Sequence, residues 1–542
     1  MQFLKKLLCV TLSMALLLAV PGGVLALENE DVPEAEYITP LAAAQASAKI
    51  KNDLAPGIDV SEYPVLLLRG GWHPMYYMEG TEEEVKVFDT DELLSFDTLL
   101  PLLQDLAIAC LRPLNWKGLS DIAIKFLWDA FEPTRVALDG SYDETISCVY
   151  TERQALNDRN QMQFSVDWRK DPVDTAYELR RFIEDSGYEK VNIASISGSG
   201  QVLLAYLALF GTDKLASVFF NMSMHAGSSL FGGFATKQFG LDPTALGYLL
   251  PRQNELGYGT DPLALLLRGV YEAGLLSVIQ KTFKFAVDRV IDRVYEEAAI
   301  PLVFTMPHMW SYVPTEQYEG AKALLFKGDP KYDALVAKTD YYRYNILAKQ
   351  DEILLKTASE VKTAVAAGYG LPVVGVTQGT AVQGDRFVDT SYASFGATCS
   401  PIDSAFPKSY RQAQLNAWDF MSPDRLIDAS TCTLPETTWF YKYRTHRSED
   451  SYMGWYEWFL AKEGDYTVFA DEENFPQFKY FVDNDAVKRL DPNAEGHDYK
   501  PLAGALPQRS AIYETVVPPV LSVLLFVLKT WRFILVLPLF WM

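Results

Sequence analysis

The residues best placed to do chemistry lie in Ser195-Ile196-Ser197-Gly198-Ser199-Gly200, where the strand-forming run VNIASI breaks into small residues and passes at once into the apolar helix-forming run QVLLAYLALF. A serine at a sharp strand-to-helix turn, with small residues two places before and after it, can push its hydroxyl clear of the backbone and attack a carbonyl. Ser197 is the residue this frame presents, with serine at both positions where glycine is usual. A frame centred on Ser199 would put the bulky Gln201 at one of those positions.

A hydroxyl needs an adjacent base to take its proton, and the base needs a carboxylate to fix its tautomer and stabilise its cation. On a wound α/β sheet these partners follow the nucleophile in the order serine, acid, histidine. The chain has five histidines. His73 precedes Ser197, His225 follows the next predicted strand too closely, His308 lies in a long insertion, and His497 sits in the polar DPNAEGHDYK. His446, in YKYRTHRSED, is left as the base. For the acid, Asp424 and Asp428 stand on the segment leading to His446, while Asp385 and Asp389 follow the run LPVVGVTQGT. The residues alone leave these open.

The elements that must carry such a site recur in order. PVLLLRGGW reads as a buried strand ending in a glycine turn, Gln163 to Val166 as a second strand, Lys190 to Ile196 as a third and Ala216 to Met222 as a fourth. Asp171 to Asp185 has helical apolar spacing, with Ala176, Leu179, Phe182 and Ile183 on one face. Strands alternating with helices predict an α/β fold with a mostly parallel sheet flanked by helices. From about 232 to 348 strand signals stop, which predicts a helical lid or cap insertion. The spacing then predicts a helix from Asp351 to Ala367, with LPVVGVTQGT resuming as a core strand.

The start, MQFLKKLLCVTLSMALLLAVPGGVLA, has two lysines, an apolar run and small residues up to Ala26, the pattern of a secretory signal peptide over 1–26. Its removal takes the formal charge from −22 to −24, because it holds two lysines and no acid. So acidic a chain excludes a nucleic-acid partner bound through a basic face. Export permits disulfides, with three possible pairings of the four cysteines beyond the leader, of which sequence proximity would select Cys110 with Cys148 and Cys399 with Cys432, and free buried thiols are the alternative. The cysteine spacing matches no zinc pattern. The body of the chain, 27–516, reads as one catalytic domain, and 517–542 as a hydrophobic tail. Lys529 and Arg532 near the tail's middle favour an interfacial position over a membrane span.

In the order PVLLLRGGW, VDWR, ASISGSG, NMSMHAGSS, MPHMWSYVP, SPDRLID and LPE followed by a histidine, the chain resembles the lecithin:cholesterol acyltransferase-like lipase family from about Pro64 to His446. The resemblance implies an α/β-hydrolase fold and an exported or cell-surface ester hydrolase or acyltransferase for lipid-like acyl esters, with no metal or organic cofactor. It implies Asp424 as the acid, in Asp424-Arg425-Leu426-Ile427 where the family has a D-G-x-V type loop. It further implies an oxyanion hole from the Gly198 N–H with an N–H of Gly71 or Trp72, and Trp168 beside the acyl pocket. The charged, lysine-bearing leader suggests a bacterial source.

Overall fold

The computed structural model describes residues 63–71, 74–77, 85–89, 115–148, 161–249, 276–414, 418–446, 453–482 and 486–489. Thus 1–26, Cys110, Trp72, His73, His497 and 517–542 lie outside the described residues.

In chain order the strands are β1 (Val65–Arg69), β2 (Met75–Tyr77), β3 (Val85–Phe88), β4 (Ile146–Ser147), β5 (Gln161–Ser165), β6 (Val191–Ile196), β7 (Leu215–Asn221), β8 (Lys362–Tyr369), β9 (Thr398–Cys399), β10 (Ile427–Asp428), β11 (Thr438–Lys442), β12 (Phe478–Val482) and β13 (Ala486–Arg489). Eight of them form one sheet in the order β13-β12-β11-β8-β7-β6-β1-β5. All its pairings are parallel except β12 with β13. Parallel strands covered on both faces have no side to show to water, and β6, β8 and β11 accordingly read as nearly continuous apolar runs. Two smaller antiparallel sheets, β3-β2-β4 and β10-β9, lie apart from it.

Side-chain alternation divides the apolar residues into two cores. Leu66, Leu68, Ile193, Val218, Phe220 and Val365 point to the face covered by α1 (Pro172–Asp185), α2 (Gly200–Phe210) and α3 (Gln350–Glu360). Ala194, Phe219, Ala364, Ala366 and Trp439 point to the other face, packed with Trp455, Tyr456 and Phe459 of the helix Met453–Ala461. Asp171 caps α1 by accepting from the Val173 N–H at 2.9 Å, with Pro172 as the first helical residue, as expected of an N-terminus where proline's missing N–H costs nothing.

Between β7 and β8 the described segments are helices and turns, among them Leu276–Val294, Pro307–Ser311, Thr315–Phe326 and Asp333–Tyr341. They have an apolar centre of their own, with Tyr295, Phe304, Trp310, Tyr318, Phe326 and Leu335 buried together. Arg343, buried in this unit, donates to the carbonyls of Trp310 and Val313, tying its last helices to the Met306–Pro314 segment.

One predicted element is misplaced. The strand after the insertion is β8, KTAVAAGY, and LPVVGVTQGT forms turns instead. Alanines that suit a helix are here the small residues of a central strand buried on both faces, where burial overrides local propensity. The cysteine pairing is also corrected: Cys399 and Cys432 are free thiols, and Cys148 is a buried thiol beside the Met75 sulfur.

Candidate active site

Ser197 follows the last residue of β6 with a backbone φ of +57°, a left-handed conformation that costs a non-glycine residue energy and persists only where its surroundings enforce it. Three glycines make room for it. A Cβ on Gly200 would fall 1.7 Å from Ser223 Oγ, one on Gly198 would fall 2.2 Å from the Tyr312 hydroxyl, and one on Gly70 would fall 1.9 Å from the Ser199 backbone nitrogen. Ser199, standing where glycine is usual, fastens the turn. Its Oγ accepts from the Ile196 N–H at 2.8 Å and donates to the Leu68 carbonyl at 2.7 Å, so the departure from the common pattern stitches the elbow to β1.

Gly70→Ala follows directly as a test of this packing. The methyl would meet backbone atoms of Ser199, Gly198 and Ile196, none of which can swing aside as a side chain can. We expect a loss of stability of about 3 kcal/mol, at the upper end of overpacking effects. A melting temperature unchanged from wild type would contradict the close approach.

His446, four residues beyond β11, brings Nε2 to 2.8 Å from Ser197 Oγ and Nδ1 to 2.8 Å from Asp385 Oδ2. The other oxygen of Asp385 accepts from the N–H groups of Phe387 at 2.9 Å and Val388 at 2.8 Å, and its carbonyl accepts from the His446 N–H at 3.0 Å. With the carboxylate fixed at both oxygens, the histidine is oriented to offer an unprotonated Nε2 to the serine. The approach needs Gly368 near the end of β8, because a Cβ there would fall 2.7 Å from the Asp385 Cβ.

The acid that meets His446 is therefore Asp385, not Asp424. Asp424 is buried against Lys442, its Oδ2 2.9 Å from Nζ, and also accepts from the Tyr369 hydroxyl at 3.3 Å. Asp428 is likewise committed elsewhere, to Tyr410, Ala413 and Ser430. Trp168 is corrected too. It is fully buried with its ring 5.0 Å from that of Phe88, a packing position that exposes no surface to a substrate. Its neighbours Asp167 and Arg169 form a buried bidentate ion pair.

Gly198, the residue after the serine, and Gly71 are the expected oxyanion donors among the described residues. Gly70 lies on the backbone of the elbow, and Gly71 has a φ of +118°, so the turn leaving β1 runs beside Gly198. Trp72, the other expected donor, lies outside the described residues.

The insertion reaches the same place, which nothing in the expected site had anticipated beyond the motif MPHMWSYVP. His308, fully buried, has Nε2 3.1 Å from the Gly198 carbonyl. Burial pulls its pKa down to about 4, so it is neutral and donates that hydrogen bond. Tyr312 rests on Gly198, and its own carbonyl accepts from the Ser228 N–H at 3.0 Å. At the stem of the insertion, the Ser228 hydroxyl donates to the Phe387 carbonyl and the Ser229 N–H donates to Asp389 Oδ2 at 2.8 Å. The loop that holds Asp385 is thus bound to the insertion.

Asp389 is buried beside Asp385, and burial first, then the Asp385 charge, raise its pKa to about 7, against the pull of the Ser229 hydrogen bonds. A carboxyl whose folded pKa lies above its unfolded value stabilises the fold below the unfolded value, and this contribution is lost as pH rises through the folded pKa. Asp389→Asn keeps an acceptor for Ser229 and never ionises. The variant should gain stability relative to wild type on going from pH 5 to pH 8, read as the difference in melting temperature. A difference independent of pH would refute the protonated state.

Sheet order, the left-handed serine after β6, the acid after β8 and the histidine after β11 define an α/β-hydrolase fold with a helical insertion between β7 and β8. No family model matches the chain, and no curated protein matches it. Among solved structures, the one titled "The crystal structure of Tle4-Tli4 complex" aligns with 74% of this chain and 97% of that chain at 13% identity, with a TM-score of 0.29. Among the described residues, no cluster of metal-ligating side chains occurs and no helix is long and apolar enough to cross a membrane.

Proposed function

We propose that the chain is a serine carboxylic ester hydrolase or acyltransferase, akin to the lecithin:cholesterol acyltransferase-like lipases, acting on lipid-like acyl esters. The observation that carries this reading is the unbroken relay from Asp385 through His446 to Ser197, with both hydrogen bonds at 2.8 Å. Ser197 Oγ attacks the acyl carbonyl while His446 Nε2 takes its proton, and Asp385 stays ionised against the imidazolium. The carbonyl oxygen, now an anion, faces the Gly198 N–H. Collapse expels the alcohol, which takes the proton back from Nε2 and leaves an acyl group on Ser197. Water or a second alcohol then attacks that ester, again giving its proton to His446, and frees the serine. The scheme calls for no metal or organic cofactor.

Export to the outside of a bacterial cell, with the tail 517–542 resting on a membrane surface, belongs to the same proposal. Its support is the leader pattern of 1–26 and the apolar composition of the tail. An ester presented at a membrane or micelle surface fits that placement. The test is a fluorophosphonate probe followed by peptide mapping, beside p-nitrophenyl esters of increasing acyl length. An adduct on Ser197 and turnover that rises with acyl length are expected. A folded protein that takes no adduct and turns over no ester would instead be a binding protein on this fold, whereas cleavage of amides in preference to esters would make it a peptidase or amidase.

A further inference from the structure

The hydroxyl of Tyr312 is placed where none of the expected site residues is. Tyr312 belongs to the insertion, is buried, and packs its ring against those of Phe231 at 4.9 Å and His308 at 5.1 Å. These contacts aim the end of its ring at the backbone of Gly198: the hydroxyl oxygen is 2.2 Å, and Cζ 3.0 Å, from where a Cβ on Gly198 would be. Among the described residues the hydroxyl makes no hydrogen bond. The ring is buried but its oxygen is not among the fully enclosed polar atoms that lack a partner, so the hydroxyl borders open space beside the elbow and is available to an incoming acceptor.

We propose that the Tyr312 hydroxyl is an oxyanion donor, reaching over Gly198 to hydrogen-bond the tetrahedral oxygen beside the Gly198 N–H. The inference rests on the acyl-transfer reading above. Burial pushes the phenol above its usual range, so the group keeps its proton throughout the neutral region and can donate it. The donor is idle in the free protein and finds its acceptor only when charge develops on the carbonyl oxygen. That is the condition for an interaction to lower the barrier rather than bind the ground state. It also gives the glycine at 198 a chemical reason, because any side chain there would displace the hydroxyl.

The test compares wild type with Tyr312→Phe on p-nitrophenyl butyrate and on the corresponding thionoester, whose sulfur accepts hydrogen bonds poorly. The variant keeps the ring that Phe231 and His308 hold and orphans no partner, so its melting temperature should match that of wild type. The expected result is a fall of about 10²-fold in kcat on the oxoester, the scale of losing one oxyanion donor. KM should hold, and the fall on the thionoester should be much smaller. An unchanged oxoester kcat would overturn the assignment, as would equal losses on both esters, which would mark a purely structural role. Wild type inactive on both esters would instead sink the acyl-transfer reading itself.

Discussion

Ser197→Ala is expected to lower kcat for ester hydrolysis by about 10⁶-fold in a protein that still folds, and His446→Ala by a similar factor. The two residues act as one unit, since the hydroxyl is a poor nucleophile until Nε2, 2.8 Å away, accepts its proton. Combining the two changes should therefore cost little more than either alone. Stability is expected to change little or to rise in Ser197→Ala. The side chain's further contact is with the Met224 sulfur at 3.7 Å, a weak acceptor, so the fold loses little with the hydroxyl. The measurement is turnover of a p-nitrophenyl ester with thermal melting of each variant. If either single variant kept wild-type turnover, the nucleophile would be somewhere else.

The second large effect separates two aspartates that sit in similar local sequence. Asp385→Asn should reduce kcat by about 10⁴-fold, because the amide can present its N–H to Nδ1 and so favour the tautomer that cannot accept the serine proton. Asp424→Asn should leave the kcat of the folded protein close to wild type but cost about 3 to 5 kcal/mol of stability. The change removes the carboxylate charge that faces the buried Lys442 ammonium at 2.9 Å. Measured together, the two variants give opposite signatures, one in rate and one in melting temperature. Loss of turnover in Asp424→Asn with Asp385→Asn unaffected would reverse the assignment.

That pair also shows where sequence reasoning reached and where it stopped. The nucleophile was legible because its chemistry needs a strand, a turn of small residues and a helix in immediate succession, all of which are local. The histidine was legible by elimination, since there are only five and four lie in unsuitable places. The acid was not, because two loops imitate one another. Both run Asp-Arg, with Arg386 at φ +85° and Arg425 at φ +57°, each taking the left-handed place of a glycine. Asp385-Arg386-Phe387-Val388 even ends in the valine of the expected pattern, a signal that was available. What decides between them is distant in sequence: Gly368 leaves room for Asp385 at the end of β8, and Lys442 captures Asp424. The roles of His308 and Tyr312 depended on a helical insertion folding back onto the elbow, which no local pattern encodes.

The bonds from Ser228 and Ser229 to the loop of Asp385 bear on how this protein could be taken apart. An insertion is often a module that can be trimmed or exchanged while the catalytic scaffold stays intact. Here its stem grips the acid loop and its Met306–Pro314 segment seats against Gly198. Excising it would strip support from both ends of the relay at once. Engineering toward new acyl groups should accordingly leave Ser228, Ser229, His308 and Tyr312 as fixed anchor points and vary the helices that join them.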